Sequence, residues 1–191
     1  MEPLNEVTLS RLGNALLYWL KCCERRDLTN LYKFVYYFDF AKAKLTGKPV
    51  FGFTYLAQLH VPVPQEVANE LNAYATSGLR EYISYEPFKD EKQNQRYSIK
   101  PKREPDLSVF SRKEQAVLEQ VCLVFKEASA TLMSDATHLP GEPWARIFNE
   151  KGAYAPIDIS LALTMDGFGD PEDPDTVRDK LDIFRQFKLA C

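Results

Sequence analysis

Between Leu28 and Lys44 the chain carries apolar side chains on almost every face of the helix that their spacing predicts. They are Leu31, Phe34, Val35, Tyr37, Phe38 and Phe40. A surface helix shows one apolar stripe, whereas a helix that is apolar nearly all round belongs in a core. The rest of the chain must therefore wrap this helix. Gly47 supplies a C-terminal stop and Pro49 prevents continuation. With 191 residues there is enough chain to bury a substantial core. The expected fold is mainly α: a single compact helical domain over residues 1–191 with a small β-hairpin or sheet element. Its core should span about residues 8–163, with a C-terminal helix at about 175–188.

Other segments follow the same logic. Leu9, Leu12, Leu16, Trp19, Leu20 and Cys23 share one face of a helix predicted over Thr8–Arg26. Val50–Leu59 is short and rich in aromatic and β-branched residues, which suits a strand or a short helix. Pro64 can open a helix with Val67, Leu71 and Tyr74 on its apolar face, ended by Gly78. Tyr82–Pro87 and Tyr97–Ile99 read as a hairpin. Between them, Lys89–Arg96 has no apolar anchor and is expected to lack fixed structure. Ser111-Arg-Lys-Glu114 has the spacing of a capping box ahead of a helix that buries Leu118, Val121, Cys122 and Phe125. Asp166–Asp175 is a Gly-, Pro- and Asp-rich loop. Asp175 can cap the last helix, whose face carries Val177, Leu181, Phe184 and Phe187.

Charge and motif content narrow the chemistry. A net charge of −3 gives no electrostatic footprint for nucleic acid. Lys100, Lys102 and Arg103 form a small cluster without aligned aromatic residues, which suits a solvated edge. No apolar run approaches the ~20 residues of a membrane span. MEPLNEVTLS lacks a basic start and an apolar stretch, so the expected compartment is the cytoplasm. Cys22, Cys23, Cys122 and Cys191 have no metal-ligand spacing and read as free thiols. Neither a metal nor a cofactor is expected. The acidic loop misses the calcium pattern because Phe168 and Pro171 occupy positions that would need an oxygen ligand and the turn glycine.

Catalysis would need a nucleophile within reach of a base, and the only imidazoles are His60 and His138. A Cys–His pair such as Cys122 with His138 is conceivable, against which stands the position of Cys122 on an apolar helix face. No phosphate-loop, dinucleotide or hydrolase signature is present. Lys33 lies amid apolar residues, where its stem can pack while its head reaches an acid or solvent.

One further pattern is informative. Lys33 and Tyr36–Phe38 on the helix, Gly47-Lys48-Pro49 after it, Tyr55 and Ala57, and then Pro62-Val63-Pro64 follow in order. This resembles the core signature of the Panacea domain, the SocA-like antitoxin family of bacteria and phages. It departs at Val61, where the family usually has Gly. Weaker likenesses continue through Ser111–Phe125, through Leu132–His138 with Pro143-Trp144, and through Gly152–Asp158. In all, the resemblance covers about Thr8–Leu163.

It implies an antitoxin that neutralises a cognate protein toxin by direct binding, the toxin being encoded by a neighbouring gene. Related proteins can act instead as adaptors that hand a toxin to a protease. An enzyme with a cryptic Cys–His site is the rival from another class. The motif residues look like scaffold, so recognition is expected on exposed segments. The candidate segments are the Tyr82–Pro105 hairpin, the rim Tyr55–His60 beside the Pro-Val-Pro turn and the acidic loop Asp166–Asp175, and the expected contacts are Tyr55, His60, Lys33, Asp170 and Asp173.

Overall fold

A computed structural model describes residues 4–127 and 142–164. The expected C-terminal helix at 175–188, the acidic loop with Asp170 and Asp173, and His138 lie outside the described residues. The described chain is mainly helical with two small antiparallel sheets. In chain order it contains α1 (Glu6–Cys22), α2 (Leu28–Thr46), β1 (Tyr55–Gln58), β2 (Val61–Pro64), α3 (Gln65–Asn72), β3 (Ile83–Lys89), β4 (Gln95–Pro101), α4 (Arg112–Glu127), α5 (Pro143–Lys151), β5 (Pro156–Ile157) and α6 (Leu161–Thr164). No described helix is long and apolar enough to cross a membrane.

The described residues fall into two compact units, one of residues 4–34 and 65–127, the other of residues 35–64 and 142–164. Helix α2 contributes to both. Leu31, Phe34, Val35, Tyr36, Phe38, Phe40 and Ala43 are all fully buried, as the near-continuous apolar surface of the helix requires. Gly47 closes the helix with φ 73°, and its N–H donates to Ala43 O at 2.6 Å.

In the first unit, Phe34 stacks on Trp19 of α1 and meets Phe125 of α4 edge-on, at centroid distances of 5.8 and 6.1 Å. The capping box of α4 forms as its spacing predicts. The Ser111 N–H donates to Glu114 Oε2 at 2.8 Å, and the Glu114 N–H to Ser111 Oγ at 3.4 Å. Glu114 also binds Arg11 of α1 at 2.7 Å, which ties the start of α4 to α1.

One open alternative is settled and two local expectations change. The Val50–Leu59 alternative resolves into strand β1, preceded by a loop. Gly78 does not end α3: that helix stops at Asn72, and Gly78 packs closely against the end of the Leu9 side chain. The polar stretch Lys89–Arg96 is ordered rather than featureless. The ladder runs out to the Lys89–Gln95 pair, and Asp90 Oδ1 accepts from the N–H groups of Lys92 and Asn94, both at 2.9 Å. A surface aspartate folding a turn over its own carboxylate needs no apolar anchor.

Candidate partner-binding surface

The second unit is organised from two ends of one short strand. At the first end stands Asp39, a fully buried acid on α2. Its Oδ1 accepts from the N–H groups of Val50 and Phe51 at 2.9 and 2.7 Å. Its Oδ2 accepts from Gly52 and Phe53 at 3.0 and 3.4 Å. The Tyr55 hydroxyl donates to the same Oδ2 at 2.8 Å. One carboxylate thus folds the whole loop into β1, with Gly52 at φ 72° supplying a backbone that other residues rarely adopt. Burial pushes the Asp39 carboxyl up to about 6, and the hydrogen bonds from Phe51, Tyr55, Gly52 and Phe53 oppose that rise.

At the other end, the Trp144 indole N–H of α5 donates to Gln58 O at 3.1 Å, and the ring stacks on Phe148 at 4.9 Å. The Ala57 N–H donates to Ala155 O at 2.9 Å and the Tyr154 N–H to Ala57 O at 2.8 Å, which adds β5 to the sheet in the order β2-β1-β5. Glu142 caps α5 without using its side chain in the cap. It is buried beside Tyr36 and Tyr37, and that burial raises it to about 7 against the charge of Lys44.

Between the two pins, β1 turns into β2 through Leu59 and His60, with Gln58 paired to Val61. Neither turn residue nor Val61 has a positive φ. The turn therefore is not of the primed kind that hairpins usually choose, and no glycine is needed where Val61 stands. Both turn residues are exposed, and Leu59 shows 61% of its surface. Tyr154, held in the left-handed region at φ 65°, is 67% exposed. A leucine, a histidine and a tyrosine thus stand in solvent on backbone fixed by the buried bonds below. Such an arrangement can contact a protein without losing much backbone freedom.

The structure sorts the expected contact residues. His60 is exposed as foreseen. Tyr55 is not a rim residue: its side chain is 1% exposed and its hydroxyl is committed to Asp39. An alternating strand turns Tyr55 and Ala57 inward. Lys33 is likewise buried on α2 rather than presented. Leu59 lies inside the stretch 55–60 where recognition was expected but was not singled out, and neither Asp39 nor Tyr154 was considered. Asp39 had a signal, an acid between two phenylalanines in the apolar middle of the helix, where only a partnered carboxylate is tolerated. Among the described residues, no group of His, Cys, Asp and Glu is placed to hold a metal ion.

The family model described as antitoxin SocA-like, Panacea domain, matches residues 31–145. This range includes α2 from Leu31 onward, Asp39, both strands of the pinned turn, and Trp144. No curated protein and no solved structure shows significant similarity to the chain. A match over more than half of the sequence places the chain in the SocA-like antitoxin family, as a bearer of its Panacea domain.

Proposed function

We propose that this chain is the antitoxin of a toxin–antitoxin pair and neutralises a cytoplasmic toxin by direct binding. Leu59, His60 and Tyr154 form the centre of the contact. The observation that carries the reading is the family match, which spans a turn pinned by Asp39 at one end and Trp144 at the other. Rigid presentation lowers the entropy lost on association, and a stable complex would bury roughly 1,200–2,000 Å² in total. The acidic residues Asp170 and Asp173 are proposed as supplementary contacts. The chain is read as one domain because α2 runs unbroken through both units.

The test is co-expression with the toxin of the neighbouring gene, scoring growth and co-purification. Leu59→Asp should abolish rescue while the purified variant melts like the wild type. His60→Ala and Tyr154→Ala should weaken it, and Asp170→Asn with Asp173→Asn should weaken it less. Full rescue by Leu59→Asp would discard this surface, and no rescue by the wild-type chain would discard the antitoxin reading. A toxin lifetime that falls on co-expression would replace simple occlusion by delivery to a protease.

A further inference from the structure

Three thiols meet where the C-terminal end of α1 packs on α4. Cys23 follows the last residue of α1, and its Sγ lies 3.7 Å from the backbone O of Cys122, to which it donates. Both residues are buried at 2% exposure, while Cys22 is half-buried. The Cys23 thiol also interacts directly with that of Cys122. That contact, with Arg26 and Lys126 nearby, lowers the Cys23 thiol below its ordinary value despite its burial. The same contact, with burial, raises Cys122. Two buried sulfurs in contact where α1 meets α4, with Arg26 and Lys126 beside Cys23, are placed to be oxidised together, and the two cations favour Cys23 as the attacking thiolate. Neither residue has a part in the proposed contact surface.

We propose that Cys23 and Cys122 form a peroxide-oxidisable pair. Hydrogen peroxide is the proposed oxidant because it is the smallest two-electron oxidant of thiols, and both sulfurs are buried. The Cys23 thiolate attacks one peroxide oxygen, the O–O bond breaks, and hydroxide leaves and is protonated to water. Cys23 is then a sulfenic acid. The Cys122 sulfur attacks the Cys23 sulfur, the S–O bond breaks, and the departing hydroxide takes the Cys122 proton as a second water. Two thiols lose two electrons in total, and one peroxide becomes two waters. The product joins the end of α1 to α4 by a disulfide. Cys22 is an unsuitable partner for Cys23, since adjacent cysteines bridge only with distortion.

The test uses the full-length chain, treated with hydrogen peroxide and then alkylated without reduction. Peptide mapping by mass spectrometry should find a Cys23–Cys122 cross-linked peptide, with Cys22 and Cys191 alkylated. Dithiothreitol should restore both thiols, and the oxidised chain should melt at a higher temperature than the reduced one. In Cys122→Ser, dimedone should trap a sulfenic acid on Cys23, and circular dichroism would confirm the fold. Failure of the wild-type chain to form the cross-link, or a cross-link from Cys22 to Cys122 in its place, would overturn the proposal. The wild-type readout holds even if the serine variant does not fold.

Discussion

Asp39 and Asp90 do the same mechanical job in opposite surroundings. Each folds a short stretch of backbone over its own carboxylate, Asp39 drawing in Val50–Phe53 and Asp90 the turn through Asn94. Asp39 has more donors, four backbone N–H groups and a phenol. Hydrogen-bond count alone would make it the stronger acid, yet its carboxyl rises to about 6 while that of Asp90 is held below the ordinary range. The difference is water. Asp90 keeps its hydration and adds the Asn94 and Arg96 contacts to it, whereas Asp39 exchanges all its hydration for protein donors. The same motif is therefore a tertiary keystone in one place and a local turn in the other.

The largest test of that contrast is Asp39→Ala. It strips the acceptor from four backbone N–H groups and the Tyr55 hydroxyl in the interior, and should cost on the order of 4–5 kcal/mol. A urea titration showing a loss as small as that of a surface substitution would end the distinction between the two aspartates.

Next comes pH. The folded Asp39 carboxyl, at about 6, lies above its unfolded value of 3.8, so the folded state holds the proton more tightly. Its contribution to stability is largest below about pH 4 and falls as pH rises toward 6, by on the order of 3 kcal/mol for a shift of about two units. Glu142, raised from 4.5 to about 7, pushes the same way over a higher window. Asp90 has the reverse sign: its support is present above the usual carboxylate range and lost as pH falls through its lowered value. Unfolding titrations of the wild type and Asp39→Asn over this range should differ in slope by the proton uptake of Asp39. Parallel curves would contradict it.

Tyr55→Phe removes a single donor to a charged acceptor and should cost about 1.5–3 kcal/mol at neutral pH. The loss should shrink once Asp39 is protonated, and a loss that ignores pH would locate the effect elsewhere. The smallest effect belongs to Asp90→Ala. It should leave the global melt nearly unchanged while amide exchange rises at Lys92 and Asn94, and protection left intact there would show that the turn does not depend on the carboxylate.

Much of the frame was readable because periodicity is local. The burial of α2, the capping box at Ser111, the Gly47 stop and the hairpin all follow from spacing within a few residues. What escaped were pairings across the chain. Tyr55 looked like an exposed anchor beside a proline turn. Its partner Asp39 lies sixteen residues away and is invisible to any window short enough to show periodicity. The Asp90 turn was missed for another reason: a run of polar residues reads as unstructured unless one side chain is recognised as its own organiser.

By itself the sequence determined the helical core, the turn and cap residues, the order of motifs that places the chain in its family, and the absence of any local metal or catalytic spacing. These depend on near neighbours and on residue chemistry. Only the tertiary structure decided that Asp39 and Trp144 hold β1 from its two ends, that Leu59 and Tyr154 face solvent while Tyr55 and Lys33 do not, and that Cys23 meets Cys122. Those facts turn on whether a side chain is desolvated and by what, and desolvation is a property of the packed chain rather than of any stretch of it.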